Sequence, residues 1–111
     1  MLGAMDTEGS VEVVAGHEFT VTLRLAGGTG YRWECTRVPE GIVVVRALPR
    51  VPDGPLPGAA ASQDFVLRAT GTPGRTSEVH FALRRPWEEA PAARHTERVT
   101  IAPGPITGGD A

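Results

Sequence analysis

Apolar and polar residues alternate one by one through the readable stretches of this 111-residue chain, and nowhere does a helical period hold. Successive side chains of a strand point to opposite faces, so this alternation marks strands with one buried face. Phe19, Val21, Leu23 and Leu25 alternate with Thr20, Thr22 and Arg24, and Tyr31, Trp33 and Cys35 with Arg32, Glu34 and Thr36. Val79, Phe81 and Leu83 alternate with His80, Ala82 and Arg84, and Val99 and Ile101 with Arg98 and Thr100. The β-branched content of these runs favours a pleated, half-buried surface. Val11-Glu12-Val13 and the pair Phe65 and Leu67 mark two further strands, and the unbroken run Ile42-Val43-Val44-Val45 predicts a strand covered on both faces. About seven or eight short strands punctuated by Gly and Pro predict an all-β immunoglobulin-like sandwich, with a closed barrel as the alternative.

The length allows one domain with one core. We assign residues 1–8 to a flexible N-terminus, 9–103 to the β-sandwich and 104–111 to a flexible, Gly- and Pro-rich C-terminal tail. The longest irregular stretch, Pro49 to Ala61, holds four prolines and two glycines. Because it joins two strands of one core, it is expected to be a functional loop.

Charge excludes several classes of partner. The formal net charge is -2, with eleven basic and thirteen acidic residues scattered in runs no longer than two, so no basic stripe exists for nucleic acid. No stretch reaches the length of about 20 apolar residues that a membrane span needs, and Met1 to Asp6 lack the basic and apolar regions of a signal peptide. The chain as given therefore reads as cytoplasmic, or as secreted or periplasmic if a signal has been removed, and as a monomer when free. All eleven basic residues are Arg, with no Lys or Asn, a bias of GC-rich coding that suggests a bacterial source. A single cysteine, Cys35, excludes an intrachain disulfide.

The common catalytic motifs are absent: no His-Glu-x-x-His, no Cys-x-x-Cys, no Gly-x-Ser-x-Gly and no phosphate-binding Gly-Lys-Ser/Thr. His80 and His95 could approach each other across the last hairpin with Glu97 nearby, but two histidines are an incomplete zinc set, so no metal and no cofactor are expected. The phase of Cys35 with Tyr31 and Trp33 places it in the core, where a thiol is ordinarily inert. Gly27-Gly28-Thr29-Gly30 precedes a strand rather than the helix N-terminus that anion sites of this kind use, and reads as a turn.

Three connections carry the information that remains. The first is Ala26-Gly27-Gly28-Thr29-Gly30-Tyr31, whose glycines supply positive φ before an aromatic residue launches the next strand. The second is Gly58-Ala59-Ala60-Ala61, small enough for a partner's backbone to come close. The third is Arg84-Arg85-Pro86-Trp87-Glu88-Glu89, in which Pro86 lacks an amide donor and ends a strand ladder, leaving Trp87 outside it. Trp87 either folds back over the open end of the sandwich with Arg85 stacked on it, or is a binding anchor of the type rich in Trp and Arg.

In order and spacing, these connections resemble the three loops of chagasin-type inhibitors of papain-like cysteine peptidases. Thr29, Gly30 and Tyr31 match the end of that family's Asn-Pro-Thr-Thr-Gly-Tyr/Phe loop, Gly58 to Ala61 its Gly-rich loop before a strand, and Arg85-Pro86-Trp87 its Arg-Pro-Trp. The resemblance runs from about Val11 to Ile101 and implies an immunoglobulin-like sandwich whose loops fill the cleft of a papain-like cysteine peptidase, reversibly and without chemistry. The implied contact residues are Gly28, Thr29, Gly30, Tyr31, Gly58, Ala59, Ala60, Ala61, Arg85, Pro86 and Trp87. Gly27 and Gly28 stand where the family carries Pro and its first Thr, which loosens the first loop and predicts a weaker or differently tuned inhibitor. The alternative is a non-inhibitory protein-binding module on the same scaffold. A small enzyme built on Cys35 and the histidines ranks last.

Overall fold

The computed structural model describes residues 5–25, 30–52 and 61–104, with backbone alone at 5, 25 and 49–52. Seven strands form among them: β1 (Met5–Val14), β2 (Glu18–Leu25), β3 (Arg32–Arg37), β4 (Ile42–Pro52), β5 (Ala61–Ala69), β6 (Thr76–Arg84) and β7 (Ala93–Ala102). They build a four-stranded sheet in the order β1-β7-β6-β3 and a three-stranded sheet in the order β2-β5-β4. All neighbours are antiparallel except β1 and β7, which run parallel.

The expected inward residues make the core. Phe81, Leu67, Ile101, Val79 and Val99 are fully buried, and Phe65 from one sheet meets Phe81 from the other at 5.0 Å between ring centroids. Each such side chain contributes about 1.5–3 kcal/mol on leaving water. Trp33, Val21, Leu23, Val13 and Ile42 are buried with them, and Phe19, Cys35 and Leu83 pack at the margin.

Three expectations change. The strand β1 begins at Met5, so residues 5–8, assigned to a flexible terminus, pair with Ala93 to Thr96 of β7. The run Ile42 to Val45 is not covered on both faces: β4 is an edge strand, and Val43, Val44 and Val45 are 37–45% exposed. A register shift between Val44 and Arg46 breaks the alternation there, in the manner of a bulge that shields an exposed edge. Finally, β4 continues through the first residues of the supposed long loop to Pro52, past a second shift between Leu48 and Val51. Prolines 49 and 52 are tolerated because an edge strand leaves one row of amides unpaired. The tail 105–111 and loop residues 53–60 lie outside the described residues.

Register places the informative connections together. Leu25, Ala61 and Pro52 form one row at the end of the three-stranded sheet. Arg32 pairs with Arg84 and Leu83 with Ala93 at the end of the other. Trp33 ties these two ends to each other: its N–H donates to Gln63 Oε1 at 2.7 Å, Gln63 Nε2 donates back to the Trp33 carbonyl at 3.1 Å, and the indole Nε1 donates to the Arg24 carbonyl at 3.0 Å. The connections β2–β3, β4–β5 and β6–β7 therefore leave from one end of the sandwich, as does the start of β1.

Truncating the ring at the centre of this core tests the packing. Phe81→Ala is expected to lower unfolding free energy by about 3–5 kcal/mol, read as a lower urea midpoint in equilibrium denaturation.

Candidate functional site

The β6 ladder stops at Arg84 because Pro86 has no amide to continue it. Beyond it the chain makes a turn in which the Glu88 N–H donates to the Arg85 carbonyl at 3.0 Å, and the Ala92 N–H donates to the Leu83 carbonyl at 2.7 Å where the chain returns to β7. Trp87, at the tip, is 71% exposed. It does not fold back as a lid.

Arg85 holds this tip against the start of β3. Its guanidinium lies over the Tyr31 ring at 4.6 Å from the centroid and beside the Trp87 ring at 5.4 Å, and its Nη2 donates to Glu88 Oε2 at 2.7 Å. Both cation–π contacts use the negative face of an aromatic ring. Arg85 Nε is buried and has no hydrogen-bond acceptor among the described residues. The hydrogen bond with Glu88 raises the Arg85 pKa, and the same bond lowers that of Glu88 below the usual carboxylate range, against the opposing effect of burial. Arg84, on the other side of the strand, donates from Nη1 to the Glu88 carbonyl at 2.8 Å and from Nε to Glu34 Oε1 at 2.7 Å.

Gly30 is required in this arrangement. Its φ of 79° lies in the left-handed region, and a Cβ there would sit 3.5 Å from Trp87 Cη2. The first and third connections thus touch, through Gly30 and Tyr31 on one side and Arg85 and Trp87 on the other, with Pro86 exposed between the last two. Gly28, Thr29, Gly58, Ala59 and Ala60 lie outside the described residues. Ala61 does not fit a contact role. It is 1% exposed in the core at the first position of β5, which leaves its side chain little surface to offer a partner.

The histidine cluster resolves differently from the expectation. His80 pairs with Thr96 and His95 with Phe81 across the β6–β7 ladder, one residue out of phase, which sends the two rings to opposite faces of the sheet. His95 turns inward, 6.1 Å from the Phe81 ring, with its Nε2 2.7 Å from Glu97 Oε1 and its Nδ1 2.7 Å from Thr7 Oγ1. Glu97 in turn lies over Gly9, where a Cβ would come within 2.6 Å of its Oε1. Both imidazole nitrogens are occupied by structural partners. No group of three or more possible metal ligands occurs among the described residues. Cys35 is half-buried, its thiol pKa pushed up by burial, the opposite of what a nucleophile needs.

The profile described as chagasin family peptidase inhibitor I42 matches residues 12–101. The chain belongs to the chagasin family. That family is one of peptidase inhibitors and not of enzymes. Among solved structures, the cysteine protease inhibitor EhICP2 from Entamoeba histolytica superposes with a TM-score of 0.66 at 17% identity, covering 89% of this chain and 99% of that one. PbICP-C, whose structure was determined in complex with falcipain-2, superposes with a TM-score of 0.59 at 16% identity, covering 90% and 95%. At these identities the likeness shows the shared fold. No curated protein matches the sequence.

Sequence reading alone passed over Gln63 and Glu34, and gave no role to Arg84 and Glu88 within the third connection, although these four fix the end of the sandwich that carries Trp87. Two consecutive arginines followed by an acid at i+3 and i+4 were the available signal for the last two.

The lowered pKa of Glu88 sets a pH window. A depressed carboxylate keeps its pair with Arg85 above its ordinary pKa and loses it only as pH falls through the depressed value. The indole resonance of Trp87 should therefore hold its position from pH 7 to 5 and move only below about pH 4.3, the usual glutamate value. Trp33, hydrogen-bonded in the core, provides the control in the same NMR titration.

Proposed function

We propose that this protein inhibits papain-like cysteine peptidases by inserting three neighbouring loops into the active-site cleft, reversibly and with no covalent step. The observation that carries the reading is Trp87: a large aromatic left 71% exposed yet held from behind by Arg85. Exposed but ordered aromatics suit interface anchors, because little entropy remains to be lost when they dock. Family membership and the likeness to a fold found bound to falcipain-2 support the same partner class.

In this reading Thr29, with the backbone of Gly28 and Gly30, lies over the peptidase's cysteine and histidine dyad. Arg85, Pro86 and Trp87 pack on one cleft wall, Tyr31 backs them, and Gly58 to Ala60 follow the other wall. An interface of standard size would bury about 800 Å² on each partner. The all-Arg basic set supports a bacterial source. A non-inhibitory binding module remains the second reading, favoured by Gly27 and Gly28 in place of the family's Pro and Thr.

Titration against papain and a cathepsin L-type peptidase separates the two. Inhibition is expected at or below micromolar concentration, with Trp87→Ala weakening it about 30-fold, the equivalent of losing one hot-spot residue of about 2 kcal/mol. Absence of inhibition by the unmodified protein at micromolar concentration sinks the inhibitor reading. In the same assay Gly27→Pro should tighten binding by about twofold to fivefold through a stiffer free loop.

A further inference from the structure

The connection from Arg85 to Ala92 makes few backbone hydrogen bonds of its own. Within it the Glu88 N–H reaches the Arg85 carbonyl, and the Ala92 N–H reaches Leu83 where the chain rejoins the sheet. Pro86 contributes no donor. A loop held so sparsely by its backbone needs side chains to define it, and here one residue collects them. The Glu88 carbonyl accepts from Arg84 at 2.8 Å, and its carboxylate accepts from Arg85 at 2.7 Å.

The two arginines are consecutive, so at the end of a strand they leave on opposite sides. Arg84 goes to the outer face, where Glu34 of β3 holds its Nε at 2.7 Å. Arg85 goes to the other side, over Tyr31 and Trp87. Glu88 is thus gripped from both sides of the strand. The chain of contacts runs without a gap from the sheet at Glu34, through Arg84 and Glu88, to Arg85 and the exposed Trp87.

Resting on the inhibitor reading for its consequence, we infer that Glu88 is a positioning residue: through Arg84 and Arg85 it orders Trp87 before the peptidase arrives. Glu88 need not touch the target. Its carboxylate fixes the guanidinium that backs the indole, and its carbonyl fixes the turn from which the indole projects. Without its carboxylate, the Arg85 side chain must be ordered during binding, at about 0.5–1.5 kcal/mol for one rotamer-rich side chain, which corresponds to a loss of up to about tenfold in affinity.

The test uses the full chain with Glu88→Ala and Glu88→Gln, each alone and with Trp87→Ala. In the free, ¹⁵N-labelled protein, the heteronuclear NOE of the Trp87 indole should drop in both single variants, more in Glu88→Ala, while that of Trp33 stays unchanged. Against papain, Glu88→Ala should weaken inhibition by up to about tenfold, and adding it to Trp87→Ala should weaken it far less than that factor. An equally rigid Trp87 indole in Glu88→Ala overturns the inference. So does full additivity with Trp87→Ala, which would mean that Glu88 acts on the peptidase independently. If Glu88→Ala disturbs Trp33 and hence the fold, Glu88→Gln carries the same measurements. Should the unmodified protein fail to inhibit papain, the inhibitor reading falls, and the NOE measurement still decides whether Glu88 orders Trp87.

Discussion

The two sheets of this sandwich share no strand, and at the end that carries Trp87 they are joined by the polar clasp around Trp33. Gln63 exchanges two hydrogen bonds with the Trp33 backbone, one through each atom of its amide, and the Trp33 indole reaches across to the Arg24 carbonyl. This is the pairing that a neighbouring strand would have supplied had β3 and β5 lain in one sheet. Leaving such partly buried groups unpaired would cost about 1–3 kcal/mol each. The clasp therefore does more than close the sandwich. It sets β3, from which Tyr31 and Gly30 project, at a fixed offset from β5, which the second loop enters.

That offset matters because the proposed binding surface draws on both sheets. The first connection leaves the three-stranded sheet at Leu25 and enters the four-stranded one at Arg32, the second belongs wholly to the three-stranded sheet, and the third wholly to the other. A wedge assembled from such loops is only as rigid as the joint between the sheets. Apolar packing of Phe65 on Phe81 resists separation but, being non-directional, tolerates sliding. Directional hydrogen bonds at Trp33 oppose sliding.

Strands with one buried face were legible because their constraint is local: each second residue must be apolar, as at Val79, Phe81, Val99 and Ile101. Edge strand β4 misled for the same reason, since the valines at 43 to 45 read as buried although an edge strand with a bulge leaves them in water. Binding-end residues divided along similar lines. Gly30, Tyr31, Arg85, Pro86 and Trp87 stood out through backbone conformation and aromatic placement, both properties of short segments. Ala61 was misassigned because a small residue reads alike in a loop and at the first position of a buried strand. Gln63 and Glu34 were invisible because their roles exist only once β3, β5 and β6 are brought together, and nothing in their immediate neighbourhood announces a partner 30 or 50 positions away.

Contact between the first and third connections also limits what Gly27 and Gly28 can change. The chain that follows them is already fixed at Gly30, whose positive φ a side chain would strain, and at Tyr31, which lies under Arg85. In the proposed binding mode, any cost of ordering the two glycines therefore falls upstream of Gly30, at about 1–2 kcal/mol for each residue. Trp87 does not share that cost, because its support comes from Arg85 and from the network through Glu88 to β3. The two halves of the wedge differ in kind: one is open to tuning by loop composition, while the other is set by the sheet beneath it.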